Sequence, residues 1–166
     1  MKTYVLSVLV ENRAGTLSRV AGLFSRRGFN IDSLTVGETE DRDISRMTIA
    51  VFGDDAVLEQ IVKQLGKLVD VISIRKLDDD ACIKREIMLV KVRADEQNRS
   101  AIVEVAAIFR SRVIDISAST ITIEVTGGFD KLNGLLCLLR PYGILELART
   151  GLVALERGDK VLSKDE

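Results

Sequence analysis

The chain repeats a plan. Two stretches carry apolar residues at i, i+3, i+4 and i+7: Leu17, Val20, Ala21 and Phe24 in the first, Ile102, Val105, Ala106 and Phe109 in the second. That spacing lays a single apolar stripe along a helix. Aligning Phe24 with Phe109 gives an offset of 109 − 24 = 85, at which Arg27 meets Arg112 and Ile31 meets Ile116. A chain of 166 residues with such a repeat has room for two small domains of one fold.

The elements follow one order twice. A strand over about 3–11 puts Tyr4, Leu6, Val8 and Val10 on one face. A helix follows over about 15–27, with Arg26 and Arg27 at its negative end and Gly28 suited to stop it. Strands near 30–36 and 45–52 flank the polar turn GETEDRD. A helix opening at Asp54-Asp55 carries Val57, Ile61 and Leu65, and a strand over 69–76 closes the unit. After the acidic run Asp78-Asp79-Asp80 the series resumes. It has strands near 86–93, 113–117, 120–125 and 144–155, and helices near 100–110 and 129–139. The expected class is therefore α+β, two ferredoxin-like βαββαβ domains in tandem. The expected boundaries are 1–78 for the first domain, 79–84 for a linker, 85–160 for the second domain and 161–166 for a tail.

Composition narrows the function. The chain lacks histidine, which removes imidazole bases, Ser-His and Cys-His pairs and imidazole metal ligands. Its net charge of −1 and aromatic content of 4% argue against nucleic acid and anionic membrane as partners. No apolar stretch is long enough to span a bilayer. Two distant cysteines, Cys82 and Cys137, read as free thiols in a reducing compartment.

One corner has chemical interest. The sequence LVENRAGTLSRVAGLFSRRGFNIDSLTVG places Asn12 and Gly15 where the first strand turns into the first helix. A second asparagine, Asn30, follows the helix. The first amides of a helix lack intrahelical partners and lie at its positive end, so they suit a carboxylate. Gly15 lets a ligand approach the backbone, and Asn12 offers a donor and an acceptor. A free amino acid fits such a set, with Leu9, Leu17 and Ile31 suited to an aliphatic side chain. Asn and Gly are equally the ordinary residues of turns. The residues alone leave both readings open.

The runs LSVLVENRAGTLSRVAGLFSRRGFNIDSLTVG, SRMTIAVFGDD, LEQIVKQLGKLVDVISI and REIMLVKV resemble the small, regulatory subunit of acetohydroxyacid synthase, also called acetolactate synthase. The resemblance covers nearly the whole chain and is strongest over 4–93. It implies an N-terminal ACT domain and an ACT-like second domain. It further implies a non-catalytic subunit without cofactors of its own. The partner would be a large subunit carrying thiamine diphosphate, FAD and magnesium, which this chain activates and makes sensitive to valine or another branched-chain amino acid, isoleucine among them. Localisation in the cytoplasm and a homodimer with effector at its interface belong to the same expectation. Carried over by motif, the effector site comprises Asn12, Ala14, Gly15, Thr16 and Leu17 of one chain, with Asn30 and Ile31 of its neighbour.

Other functions fit less well. Asp54-Asp55 reads as a helix cap rather than a catalytic carboxylate pair. RNA binding by the same strand–helix order would need aromatics and a basic face on the central strands. A free-standing ACT-type amino-acid sensor acting on a different partner is the main alternative, since fold does not fix the partner.

Overall fold

The computed structural model describes residues 1–164. Its elements are β1 (Lys2–Glu11), α1 (Thr16–Arg27), β2 (Ile31–Glu38), β3 (Ile44–Gly53), α2 (Asp55–Leu65) and β4 (Val71–Leu77). There follow β5 (Cys82–Arg93), α3 (Arg99–Ile108), β6 (Arg112–Ile116), β7 (Thr120–Gly127), α4 (Phe129–Leu139), β8 (Ile144–Arg149) and β9 (Val153–Glu156). The chain forms two compact units. Met1–Ile83 joins with the segment from Leu152 onward to make the first, and Lys84–Gly151 makes the second. Each contains a βαββαβ, ferredoxin-like unit, as the repeat implies.

In the first unit the strands lie in the order β2-β3-β1-β4, all neighbours antiparallel. Alternation sends Tyr4, Leu6, Val8 and Val10 of β1 to the helical face, where they meet Met47, Ile49 and Val51 of β3. Both helices close over them with Val20, Leu23, Phe24, Leu58, Ile61 and Leu65. Phe24 is 1% exposed, and truncating such a residue to Ala costs about 3–5 kcal/mol. Asp54 caps α2 by accepting from the Val57 N–H at 2.9 Å, as its sequence position suggests. At the far end of α1, Gly28 is left-handed at φ 68°. The bonds Gly28 N–H to Ser25 C=O and Phe29 N–H to Phe24 C=O then close the helix.

The stripe of α1 is rotated from the sequence expectation. Its buried residues are Thr16, Val20, Leu23 and Phe24, a set at i, i+4, i+7 and i+8. Leu17 lies off this stripe and is 46% exposed. The repeat offset changes with it. Arg110, at φ 52°, ends α3 as Gly28 ends α1, giving 110 − 28 = 82. The register shift between Leu9 and Val10 recurs between Lys91 and Val92, again 91 − 9 = 82. At 82 the buried residues Leu6, Val8 and Val10 meet Met88, Val90 and Val92, all buried. An offset of 85 is odd and would turn every strand residue to the wrong face. A helical stripe resembles itself when slid by three or four residues, which is how 85 arises.

The first sheet is buried on its second face as well. Val5 packs with Leu77, Cys82 and Ala154, while Leu9 packs with Ile44 and Leu162. The segment beginning at Leu152 thus returns to the first sheet. Arg75 pairs with Glu156 and Lys164 with Asp41, and the Arg157 N–H donates to the Ala81 carbonyl at 2.8 Å. This differs from the expected boundaries, under which 85–160 belonged to the second domain. The expected linker is also structured. Asp79–Ala81 forms a 3-10 turn and Cys82 opens β5. Residues 165 and 166 of the expected tail lie outside the described residues.

The second unit pairs β6-β7-β5-β8, with neighbours antiparallel. Met88, Val90, Val92, Ile102, Ala106, Ile121, Ile123, Leu132, Leu135 and Leu139 form its core.

Candidate effector site at the first strand–helix corner

The corner after β1 is held from two sides. The Asn12 N–H donates to the Asp43 carbonyl at 2.7 Å. The Asn12 side chain donates from Nδ2 to the Arg42 carbonyl at 2.8 Å and to Glu38 Oε1 at 3.3 Å. The amide nitrogen is thus spent on Glu38 and the turn between β2 and β3. On the other side, the Glu11 N–H donates to the Asp70 carbonyl at 2.8 Å. Arg13 pairs with Glu11 at 3.1 Å and is otherwise in water, 73% exposed at its side chain.

Gly15 stands at the helix entrance in the left-handed region, φ 88° and ψ −13°. Only glycine adopts this without cost, though Asn and Asp visit it. Its carbonyl accepts the Arg19 N–H at 2.9 Å, which starts the helix. Among the described residues no side chain caps α1, and its first turn holds no acidic residue. The Thr16 N–H donates to the Arg13 carbonyl at 3.2 Å, which leaves the next amides of the positive end for an anion. Thr16 is 3% exposed, and its Oγ1 has no hydrogen-bond partner among the described residues.

One turn further, Arg19 lies back over the corner. Its Nε donates to Asp70 Oδ2 and its Nη2 to Asp70 Oδ1 at 2.8 Å. A Cβ on Gly15 would stand 3.0 Å from Arg19 Nη1. Asp70 is buried, with its side chain 7% exposed, whereas the Arg19 side chain is 48% exposed. The hydrogen bond from Arg19 holds the Asp70 carboxyl below the usual carboxylate range, against the opposing effect of burial. Neither residue was legible as a site residue. Arg19 gave one signal, a cation four residues past Gly15, but Asp70 is 51 residues away in sequence.

The residues expected to form the site are not all brought together within one chain. Asn12, Ala14, Gly15, Thr16 and Leu17 share the corner, with Ala14 exposed and Leu17 half-exposed. Asn30 lies just before β2, its Nδ2 donating to Asp32 Oδ1 at 3.2 Å. Ile31 pairs across Val51, which pairs with Tyr4 at the opposite end of β1. From Tyr4 to Asn12 the strand rises roughly 25 Å. Ile31 also packs against the core instead of standing free.

Among the described residues, no group of three or more His, Cys, Asp or Glu is placed to hold a metal ion. Among the same residues no helix is long and apolar enough to cross a membrane. A cavity of about 610 Å³ lies by the returning segment, lined by Arg75, Glu156, Asp159, Lys160, Val161 and Ser163. It includes none of the corner residues.

Comparison with known proteins places these features in a lineage. Residues 6–73 match the family described as the AHAS small subunit-like ACT domain, and residues 85–158 the family described as the small subunit of acetolactate synthase. The chain is 53% identical to the probable acetolactate synthase small subunit of Methanothermobacter thermautotrophicus, covering 96% of each. It is 50% identical to the acetolactate synthase isozyme 3 small subunit of Salmonella typhimurium, covering 95% of this chain and 98% of the other. The crystal structure of the acetolactate synthase small subunit from Thermotoga maritima superposes with a TM-score of 0.91 at 41% identity. That match covers 96% of this chain and all of the other.

Proposed function

The chain belongs to the acetolactate synthase small-subunit family, and from that premise we propose that it is a non-catalytic regulatory subunit. It binds a catalytic large subunit in the cytoplasm, raises that subunit's activity and makes it sensitive to valine or a related branched-chain amino acid. Thiamine diphosphate, FAD and magnesium reside in the large subunit, where 2-ketoacids are condensed. The absence of histidine from the sequence supports a role outside the chemistry.

One observation carries the effector assignment. The helix entrance at Gly15 is open, glycine-specific in conformation and flanked by a guanidinium. An amino acid's carboxylate is the ligand group that such an end receives. The side-chain carbonyl of Asn12, whose amide nitrogen is already engaged, accepts from the ammonium. Asn30 sits at the other end of the sheet, and β2 is the sheet's edge strand. A two-fold pairing of two β2 edges, antiparallel to each other, brings the Asn30 and Ile31 end of one protomer to the Asn12 corner of the other. The effector then lies across a homodimer interface, and each dimer has two such sites.

The test is reconstitution. Purified chain alone forms no acetolactate, and added to its large subunit it raises the rate and confers inhibition in a valine titration. Light scattering over a dilution series, with and without valine, reports the dimer. A monomer binding valine at full affinity would exclude the shared site.

A further inference from the structure

The unspent edge of Arg19 points to a role that the fold alone does not require. We infer that Arg19 is the charged partner of the effector's carboxylate, oriented for it by Asp70, and that this pair makes the site selective for an anionic effector. This rests on the effector reading above and deepens it.

Four features support the assignment. Asp70 engages Nε and Nη2 of Arg19 with both of its oxygens. That fork fixes the plane of the guanidinium and leaves Nη1 on the opposite side. Nη1 is the atom that approaches the missing side chain of Gly15, at 3.0 Å from where a Cβ would stand. Any larger residue at position 15 would displace it. The Arg19 side chain is half-exposed although its carboxylate partner is buried, so the guanidinium retains an open edge. Finally, α1 begins with neither a side-chain cap nor an acidic residue in its first turn. A pair that served only to neutralise Asp70 would not need to sit over an uncapped helix end. A ligand carboxylate here meets the N–H groups of the first turn and a guanidinium together, a stronger arrangement than either alone.

Asp70 is a positioning residue in this account. It touches no ligand, and its removal frees the guanidinium to swing. Because Asp70 stays ionised well below neutrality, the arrangement persists over the pH range in which an amino acid is a zwitterion.

The experiment compares valine with valinol and valinamide as inhibitors of the reconstituted complex, using wild type, Arg19→Gln, Arg19→Lys and Asp70→Asn. Valinol and valinamide keep the side chain and the amine but carry no carboxylate. Wild type should prefer valine by at least about tenfold, the effect of losing one charge-assisted contact. Arg19→Gln should lower that ratio several-fold, the first-turn amides keeping the remainder. Arg19→Lys should keep part of the preference, and Asp70→Asn should reduce it without abolishing it. Circular dichroism confirms that each variant is folded, and an Arg19→Gln chain that fails to fold leaves Arg19→Lys to decide. An unchanged ratio in a folded Arg19→Gln chain, or in Arg19→Lys and Asp70→Asn alike, overturns the inference while leaving valine inhibition standing. If wild type responds to no amino acid, the effector reading itself fails, a separate result.

Discussion

The two strand–helix corners of this chain solve one problem in opposite ways. At the offset of 82, Asn12–Gly15 corresponds to Ala94–Gln97, since 94 − 12 = 82. In the second corner Asp95 turns its own carboxylate onto the chain. Its Oδ1 accepts the N–H of Gln97 at 2.9 Å and of Asn98 at 3.0 Å, and Asn98 Oδ1 accepts the Asp95 N–H at 2.8 Å. The second corner therefore carries a carboxylate in the turn that leads into α3, although α3 itself, like α1, starts without a side-chain cap. The first has a left-handed glycine and, nearby, a guanidinium held by the Asp70 carboxylate. The lesson is that two uncapped helix starts can differ in what stands before them, a self-bonded aspartate turn in one and a left-handed glycine in the other.

The strongest way to break this contrast is to make the first corner resemble the second. Gly15→Asp places a carboxylate beside Arg19 and the first-turn amides. Inhibition by valine should be lost, with the half-inhibiting concentration rising at least about tenfold, while activation persists. The left-handed backbone makes folding cost about 1 kcal/mol, so thermal unfolding should be recorded beside the titration. An unchanged titration in a folded, activating chain would reduce the corner to a connection.

A second test removes the support beneath Arg19. Asp70 is held below its ordinary pKa by the Arg19 hydrogen bond, so its pKa falls on folding. Its contribution is therefore complete above the unfolded value of about 4 and is lost as pH falls through the lower folded value. In wild type, stability should drop below pH about 4. Asp70→Asn should be less stable at pH 7 and show a shallower acid dependence in melting curves run from pH 7 to 2. Equal slopes would mean that other carboxylates dominate.

Opening the second corner gives the converse. Asp95→Ala removes the side-chain acceptor of two amides in the turn before α3 and should cost about 1 kcal/mol in denaturant unfolding, with no change in the valine response. A shift in that response would show that the corners are coupled. The smallest effect is expected of Asn12→Ala, which deletes exposed hydrogen bonds to the neighbouring turn and one ligand acceptor. Stability should fall by about 0.5 kcal/mol and inhibition should weaken by about two- to threefold.

Much of the fold was legible because strand alternation and helix periodicity are local. Tyr4, Leu6, Val8 and Val10 declare the inner face of β1, and Asp54 declares the start of α2. The rotation of α1 was less so. Leu17 is as apolar as the residues that are buried, and only packing decides that Thr16 turns inward instead. Strand parity in β1 and β5 could have corrected the offset, because an odd shift exchanges the faces. At the site, Asn12 and Gly15 stood out as residue types, but the purpose of Asn12's amide became visible only with Arg42 and Asp43 beside it. The Arg19–Asp70 pair joins residues on separate elements, and no window of sequence contains it. The return of the segment from Leu152 was hidden for another reason. ILELARTGLVALE continues an apolar pattern through Gly151, which in the structure takes φ 82° and separates β8 from β9.

That return has a consequence for biosynthesis. The first sheet is complete once Leu77 has been made, yet Leu152 and Ala154 belong to the packing on its second face. The gap is 152 − 77 = 75 residues, roughly 4 to 15 s of translation at ordinary speeds. Through that interval the nascent chain displays Val5 and Leu77 without their later partners. Ribosome-bound fragments ending between the two positions should accordingly be more readily captured by chaperones and cut by proteases than the finished chain.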